Sequence, residues 1–573
     1  MEIQRTLVII GLAVVSYMMV LAWQEDYGKP AAATVTTEQA ATNIPASSDA
    51  ASDVPGAEEI PTVASGEAEI VATDAVVTDD NRLVRVTTDV FNVVIDRQGG
   101  DIVELSLLNY PRHVDTPDQP FQLLLNTPQQ FQIMQSGLIG KNGTDTQEGR
   151  PLWLADRTEY TLEDNAHELN VDLRYFQQDN VVITKRFTFV RDSYLVRISH
   201  VVENKGSTPW QGALYGQVKR DSSDDPSTAK GGFVPMPTFL GAAWWTADTP
   251  YNKVALKNLE EEPVKTTQEG GWIAMVQHYF LSAWIPDNTQ TNTYSSSYLK
   301  NSNQHILRFV SPTKVVDGNS EDIFYAEFYA GPKDQSQLEA ISPGLNMTVD
   351  YGWLWFVAQP IFALLIFLQS GHISIFGNEF DIGFGVGNWG VAIILLTLVI
   401  KSLFFKLSAS SYKSMAKMRK VAPEMQRLRE NYKNDKQKQQ MEMMKLFQRE
   451  KINPLGGCLP MLVQTPVFIS LYYVLLESVE LRQVPFFGWI QDLSVMDPYF
   501  VLPLLMGASM FLQMRLNPTP ADPTQAQVMK WMPAIFTVFM LWFPAGLTLY
   551  WLTNNVLGIA QQWIITRRIE AED

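Results

Sequence analysis

Residues 389–451 constrain this chain more than any other stretch. The run WGVAIILLTLVIKSLFFKL is long and apolar enough to cross a bilayer, yet it carries Lys401. It continues directly into SASSYKSMAKMRKVAPEMQRLRENYKNDKQKQQMEMMKLFQREK, which is patterned as helix. From Lys406 to Lys451 there are 13 Lys and Arg against 5 Asp and Glu. Basic flanks of membrane spans stay on the cytoplasmic side, so this segment orients every other element of the chain.

With 573 residues, the chain is too long for one core. Its net charge of −17 argues against general binding of DNA or other nucleic acid. That average hides two unlike halves. Residues 30–350 read as ordinary polar sequence, whereas the C-terminal part holds long apolar runs. The single cysteine, Cys458 in PLGGCLP, rules out an intramolecular disulfide and reads as a small buried hydrophobe.

Residues 7–23, LVIIGLAVVSYMMVLAW, form a run of 17 without a charge, preceded by Arg5 and followed by Glu25 and Asp26. The run is long for a signal peptide and lacks a nearby A-x-A site, so residues 1–29 read as an uncleaved anchor with a cytoplasmic N-terminus. Residues 30–81 contain no Lys or Arg and are rich in Ala, Thr, Ser, Pro and acids. Such composition reads as a disordered tether. Residues 82–345 then switch to period-2 alternation, as in VVITKRFTFV and YLVRISHVVEN, with turn signals QGG, DGN and ENKG. This predicts a large all-β sandwich on the outer side. Trp210, Trp244, Trp245, Trp272 and Trp284 fit core packing better than a sugar-binding surface.

Residues 346–388 form an apolar helix and a Gly-rich linker. If 353–369 crossed, the basic segment would emerge outside, against the positive-inside rule. Trp353, Trp355 and Pro360 instead suit a helix lying at the outer interface. Spans then fall at 389–407, 455–478, 498–514, 529–543 and 547–565. Arg567 and Arg568 close the last on the cytoplasmic side. With the anchor this makes six spans and cytoplasmic termini. Residues 410–451 form a helical hairpin about the NDK turn, kinked at Pro423, with Met441, Met444 and Phe447 as a facing seam. Its basic face, including Lys413, Lys417, Arg419, Lys420, Arg427 and Arg429, is suited to anionic lipid headgroups or ribosomal RNA.

A lysine at mid-helix costs roughly 2.5–3.5 kcal/mol on insertion scales, so Lys401 is expected to face protein or trapped water. Thr397 lies one turn earlier on the same face. Gln464, Thr465, Tyr550, Asn554 and Asn555 add polar groups to other spans. These either hydrogen-bond helix to helix or line a wet cavity with Lys401. The acidic residue within these spans, Glu477, stands at the outer end of 455–478, away from Lys401. No Walker loop, HExxH motif or Cys/His cluster is present, so no cofactor or metal is expected and no enzyme activity is indicated.

The segments YKSMAKMRKVAPEMQRLRE, EKINPLGGCLPMLVQTPVFISLYYVL, SVELRQVPFFGWIQDLS and FTVFMLWFPAGLTLYW resemble the bacterial YidC membrane protein insertases. So does the order of elements, which matches the Gram-negative form with a large periplasmic β-supersandwich and a five-span core at 389–568. The resemblance implies an insertase and chaperone of inner-membrane proteins, acting alone or with the Sec translocon on nascent membrane proteins. It implies a hydrophilic groove with a cationic residue, usually arginine. Here Lys401 stands at that position and keeps the charge without the guanidinium fork. Thr397, Gln464, Phe468, Tyr550 and Trp551 fall at the positions that face the groove or the client path. The short tail 569–573 is acid-ended, unlike the long basic tails that meet ribosomes. Two rival readings are a secondary transporter, which calls for an inverted repeat, and a membrane-anchored carbohydrate-processing protein, which calls for paired carboxylates.

Overall fold

A computed structural model describes residues 54–55, 82–146, 149–228, 238–375, 378–381, 383–450, 452, 459–516 and 523–572. The expected anchor at 1–29 and Cys458 lie outside the described residues, as does all of the tether except Val54 and Pro55. The chain divides into two compact units. One comprises residues 49–350 with 477–483; the other comprises 351–476 and 484–573, together with 1–48.

The first unit is built from two antiparallel-rich sheets, of eleven and nine strands. Its alternation is the one expected of a sheet with one face in a core: Val181–Val190 reads buried at Val181, Ile183, Lys185, Phe187 and Phe189. Strands Leu195–Asn204 and Ser320–Pro332 pair along ten residues, from Leu195–Tyr329 to Asn204–Ser320. The core is aromatic. Phe121 stacks on Phe280 at 4.3 Å, and Trp284 packs on Phe328 at 5.0 Å. Trp210, Trp272 and Trp284 are buried in it, and Trp244 and Trp245 pack against it, as the packing reading expects. The QGG and DGN turns place Gly99, Gly100 and Asn319 at positive φ. Asp179 and Asn180 do the same in the hairpin before Val181, where a tight turn matches the twist of its strands.

The helices are α1 (Gln335–Ile341), α2 (Trp355–Ser370), α3 (Trp389–Leu403), α4 (Phe405–Lys420), α5 (Ala422–Asn431), α6 (Lys436–Arg449), α7 (Leu459–Glu477), α8 (Val501–Leu516), α9 (Pro523–Met540) and α10 (Ala545–Glu572). Asp334 caps α1 by accepting from the amides of Ser336 and Gln337. Gly352–Ser370 makes a run of 19 residues long and apolar enough to cross a membrane. Its Trp353, Trp355 and Phe356 are exposed, while Ala358, Ile361, Phe362 and Leu365 are buried. Pro360 sits inside α2.

Several boundaries differ from the sequence reading. The apolar run at 389–407 is not one straight helix: it breaks at Phe404, and α3 and the chain to Met418 diverge by 67°. No Gly or Pro marks that point. The Ser402 hydroxyl donates to the Leu398 carbonyl at 2.8 Å, a side-chain bond that competes with the helix ladder and favours a bend. Pro423 does more than kink the next helix. It sits in the first turn of α5, which begins after a break at Val421, because proline has no amide for the ladder and clashes with the carbonyl four residues back. The NDK turn is as expected, with the Asp435 carboxylate accepting from the Lys438 amide at the start of α6. The facing seam is not. Met441 and Met444 are 54 % and 47 % exposed, and the buried contacts of the hairpin are Met425 and Leu446. A helical period identifies an apolar face but not which part of it the partner covers. Arg567 and Arg568 do not follow the last helix; they lie within α10, which runs on to Glu572.

Residues 477–483 belong with the β unit and are held there by polar contacts. Lys333 donates to Glu477 at 3.0 Å, with side-chain exposures of 1 % and 7 %. The Arg482 guanidinium donates to the Pro111 carbonyl at 2.9 Å and lies 5.5–5.9 Å from the ring centres of Phe121, Tyr279 and Phe280. Burial pushes the Glu480 carboxyl up to about 8.

Candidate functional site

In the helical unit, one face of α10 meets Phe468, Gln464 and Lys401 from neighbouring helices. Trp551, Asn554, Asn555 and Gly558 are separated by three, one and three positions, so they line adjacent turns of one side of that helix. From Trp551 to Gly558 the rise is about 10 Å at ~1.5 Å per residue.

At the Trp551 end the contacts are aromatic. Phe468 of α7 meets the Trp551 ring edge-to-face at 4.4 Å, and Phe536 of α9 packs on it at 4.7 Å. One turn on, the Gln464 side-chain amide donates to the Asn554 side-chain carbonyl. Asn555 donates to the Ser509 hydroxyl of α8 at 3.1 Å. Tyr550 is buried beside this stripe.

At the Gly558 end the groups are polar. A Cβ placed on Gly558 would lie 3.2 Å from Gln513 Nε2, 3.6 Å from Lys401 Nζ and 3.7 Å from the Tyr412 hydroxyl. Side chains from α3, α4 and α8 thus converge where α10 carries only hydrogen. The Tyr412 hydroxyl donates to the Gly558 carbonyl at 3.5 Å. Lys401 is partly exposed and forms no ion pair with an acid among the described residues. A half-buried ammonium without a counter-charge is stable only where water or an anionic visitor reaches it.

Of the residues expected at the groove, Lys401, Gln464, Phe468, Tyr550 and Trp551 lie on or beside this stripe, and the sequence did not single out Tyr412, Gln513 and Gly558 as neighbours of Lys401. Thr397 shares the face of α3 but points inward. It is buried, and its hydroxyl donates back to the Ile393 carbonyl at 2.7 Å, which leaves it only acceptor capacity. The α3 N-terminus is fixed by Asn388, which accepts from the Val391 amide and donates to the Phe486 carbonyl, both at 3.1 Å.

On the hairpin, Lys413, Lys420 and Arg427 are exposed, Lys417 and Arg429 partly so, and the Arg419 side chain lies outside the described residues. Arg449 of α6 donates to both carboxylate oxygens of Glu424 of α5, at 2.7 and 2.9 Å, which ties the two arms together.

A second polar cluster, inside the β unit, left no clear mark in the sequence. Lys185 occupies an inward position of its strand, where it donates to the carbonyls of Ser136 and Gly99 at 2.8 and 3.2 Å. Burial pushes its ammonium down to about 7, against the opposing pull of Asp101. Arg150 bridges Asp101 and Asp145, and burial holds the Asp101 carboxyl up despite that guanidinium. Among the described residues no group of His, Cys, Asp and Glu has the arrangement of a metal site.

The chain matches two family models, one described as the YidC periplasmic domain over residues 83–364 and one as 60Kd inner membrane protein over 382–572. It is 65 % identical to a protein of Alcanivorax borkumensis named membrane protein insertase YidC, with both chains covered in full. A protein of the same name from Pseudomonas fluorescens is 50 % identical over 100 % of this chain and 99 % of its own. A crystal structure of an active YidC insertase covers 84 % of this chain and 92 % of its own at 18 % identity, with a TM-score of 0.36. On the two full-length relatives and the paired family models, this chain belongs to the YidC family of membrane protein insertases.

Proposed function

We infer that the chain inserts and folds proteins of the bacterial inner membrane, and that it does so without covalent chemistry, as a non-enzymatic insertase. The observation that carries the mechanism is Lys401: a cation on an apolar helix, met by Gln513, Tyr412 and the bare backbone of Gly558, with no acidic partner among the described residues. In our reading this is the charged end of a hydrophilic groove. A client's polar N-terminal segment enters from the cytoplasm, and Lys401 attracts its acidic residues. At ~4 Å and an effective dielectric near 20, one such attraction is worth up to about 4 kcal/mol. The client's apolar helix moves along Phe468, Trp551 and Phe536 into lipid, driven by partitioning and the membrane potential.

The topology we propose has six spans: the anchor at 1–29, α3, α7, α8, α9 and α10, with both termini cytoplasmic and the β unit periplasmic. In it α2 lies at the outer interface, with Trp353, Trp355 and Phe356 at headgroup level. The α4–α6 hairpin is cytoplasmic and meets anionic lipid through Lys413, Lys420 and Arg427. Nascent membrane proteins are the substrates, and the Sec translocon and the ribosome are proposed partners. The acid-ended tail weakens the case for the ribosome. Photo-crosslinking tests this reading. Probes at Phe468, Tyr550 and Thr397 should capture a stalled nascent client at the first two positions and less at buried Thr397. Capture only from lipid-facing Leu504 or Ile535 would refute the groove path.

A further inference from the structure

The β unit carries a small apolar patch away from its main core. Leu138, Leu214 and Phe309 point into the sandwich, so their neighbours Ile139, Ala213, Tyr215 and Val310 point to the other face of the eleven-stranded sheet. Ile139 pairs with Ala213 across one strand boundary, and Val310 pairs with Tyr215 across the next. Asp145 and Arg150 cover part of this face, where the Tyr215 hydroxyl donates to Asp145 at 3.2 Å and Arg150 stands 6.0 Å from the Tyr215 ring centre, and each of the four residues is no more than 2 % exposed. Val54 packs in the same cluster and is 6 % exposed; Pro55 is buried as well.

We propose that the Val54–Pro55 dipeptide is a built-in clip that docks the polar tether onto the sheet face formed by Ile139, Ala213, Tyr215 and Val310. The chemistry suits this role. Proline holds the preceding valine extended, so little freedom is lost on docking. The β-branched side chain fills a shallow gap between strands without presenting a polar group to it.

The consequence concerns reach. The patch lies five strands from Leu83–Thr87 in the sheet order, about 24 Å at ~4.8 Å per strand. The clip thus moves the attachment point on this unit by that distance, from Leu83–Thr87 to the patch.

The test uses the full-length protein in membrane vesicles, in a Cys458→Ser background. Val54→Cys is paired with Val310→Cys and, separately, with Ala213→Cys, and mild oxidation follows. Both pairs should form an intramolecular disulfide at least tenfold faster than Ile60→Cys paired with the same partners. Ile60 precedes Pro61 and so offers a similar dipeptide at another place in the tether. A Val54→Asp change should expose the patch, and the Asp53→Cys, Val310→Cys pair should then bridge about 10- to 100-fold more slowly than with Val54 intact. Equal rates for Val54→Cys and Ile60→Cys, or no effect of Val54→Asp, would overturn the proposal.

Discussion

The Lys333–Glu477 pair allows a prediction with a definite sign and size. Its side chains are 1 % and 7 % exposed, its separation is 3.0 Å, and Lys333 also donates to the Thr348 carbonyl at 3.3 Å. Replacing Glu477 by Ala leaves an ammonium buried without its counter-charge, a change that costs about 3–5 kcal/mol. Replacing both partners, as Lys333→Met with Glu477→Leu, removes the desolvation cost along with the attraction. The double variant should fall within about 1 kcal/mol of the parent or exceed it. The coupling across the cycle is then about 3 kcal/mol or more. A single melting temperature is a poor readout for a chain of two units, because unfolding is not two-state. The appropriate assay is hydrogen exchange in the full-length protein in nanodiscs, read as local opening free energies for residues 477–483 and 345–349. The neighbouring Val479 and Leu481 are buried, so loss of the pair should raise exchange across the whole segment. If Glu477→Ala costs less than about 1 kcal/mol, or if the double variant loses the sum of both singles, the pair is not the buried, mutually compensating contact described here.

Other outcomes follow from the same reasoning. A Cβ on Gly507 of α8 would lie 2.0 Å from the Thr537 hydroxyl oxygen of α9, so Gly507→Ala should force the helices apart and cost about 1–3 kcal/mol in the local opening free energy of α8 and α9 read by hydrogen exchange, with Thr537→Ala rescuing part of the loss. Lys185 is held near 7 in the folded β unit and near 10.4 when unfolded. Between those values the unfolded chain binds the extra proton, so stability should rise as pH goes from 7 to 10, by up to roughly 5 kcal/mol; below 7 this group contributes no slope. Lys185→Met should flatten that rise in exchange protection of Val181–Val190. Single cysteines at Lys433 and Arg568 should react with a membrane-impermeant thiol reagent only from the cytoplasmic side, and one at Phe356 only from the periplasmic side. Labelling at Phe356 from the cytoplasm would contradict the interfacial placement of α2.

How much of this was readable in the sequence depended on the range of the interactions. Strands such as Val181–Val190 and Leu195–Asn204 announce themselves by period-2 alternation, because that pattern is local. The Asp435 cap and the stop at Pro423 are local as well. The break at Phe404 was not readable, since no proline or glycine marks it. Lys185 does not stand out within VVITKRFTFV, because the groups that hold it inside, the Ser136 and Gly99 carbonyls and Asp101, lie far away in sequence. The site shows the same division. Lys401 is conspicuous as a charge in an apolar run. Gly558, Gln513 and Tyr412 acquire meaning only when three other helices bring them to it. Met441 and Met444 mark the opposite error, in which a correct helical face was given a partner it does not have.

The central claim is that the Lys401 charge draws client segments into the groove. The direct measurement is the rate of insertion into vesicles of two versions of one short client, with an acidic and with a neutral N-terminal tail, by the parent, Lys401→Ala and Lys401→Arg proteins. Lys401→Ala should slow the acidic-tailed client at least tenfold and the neutral-tailed client much less, while Lys401→Arg keeps both near the parent rate. Parent-level insertion of the acidic-tailed client by Lys401→Ala would contradict it.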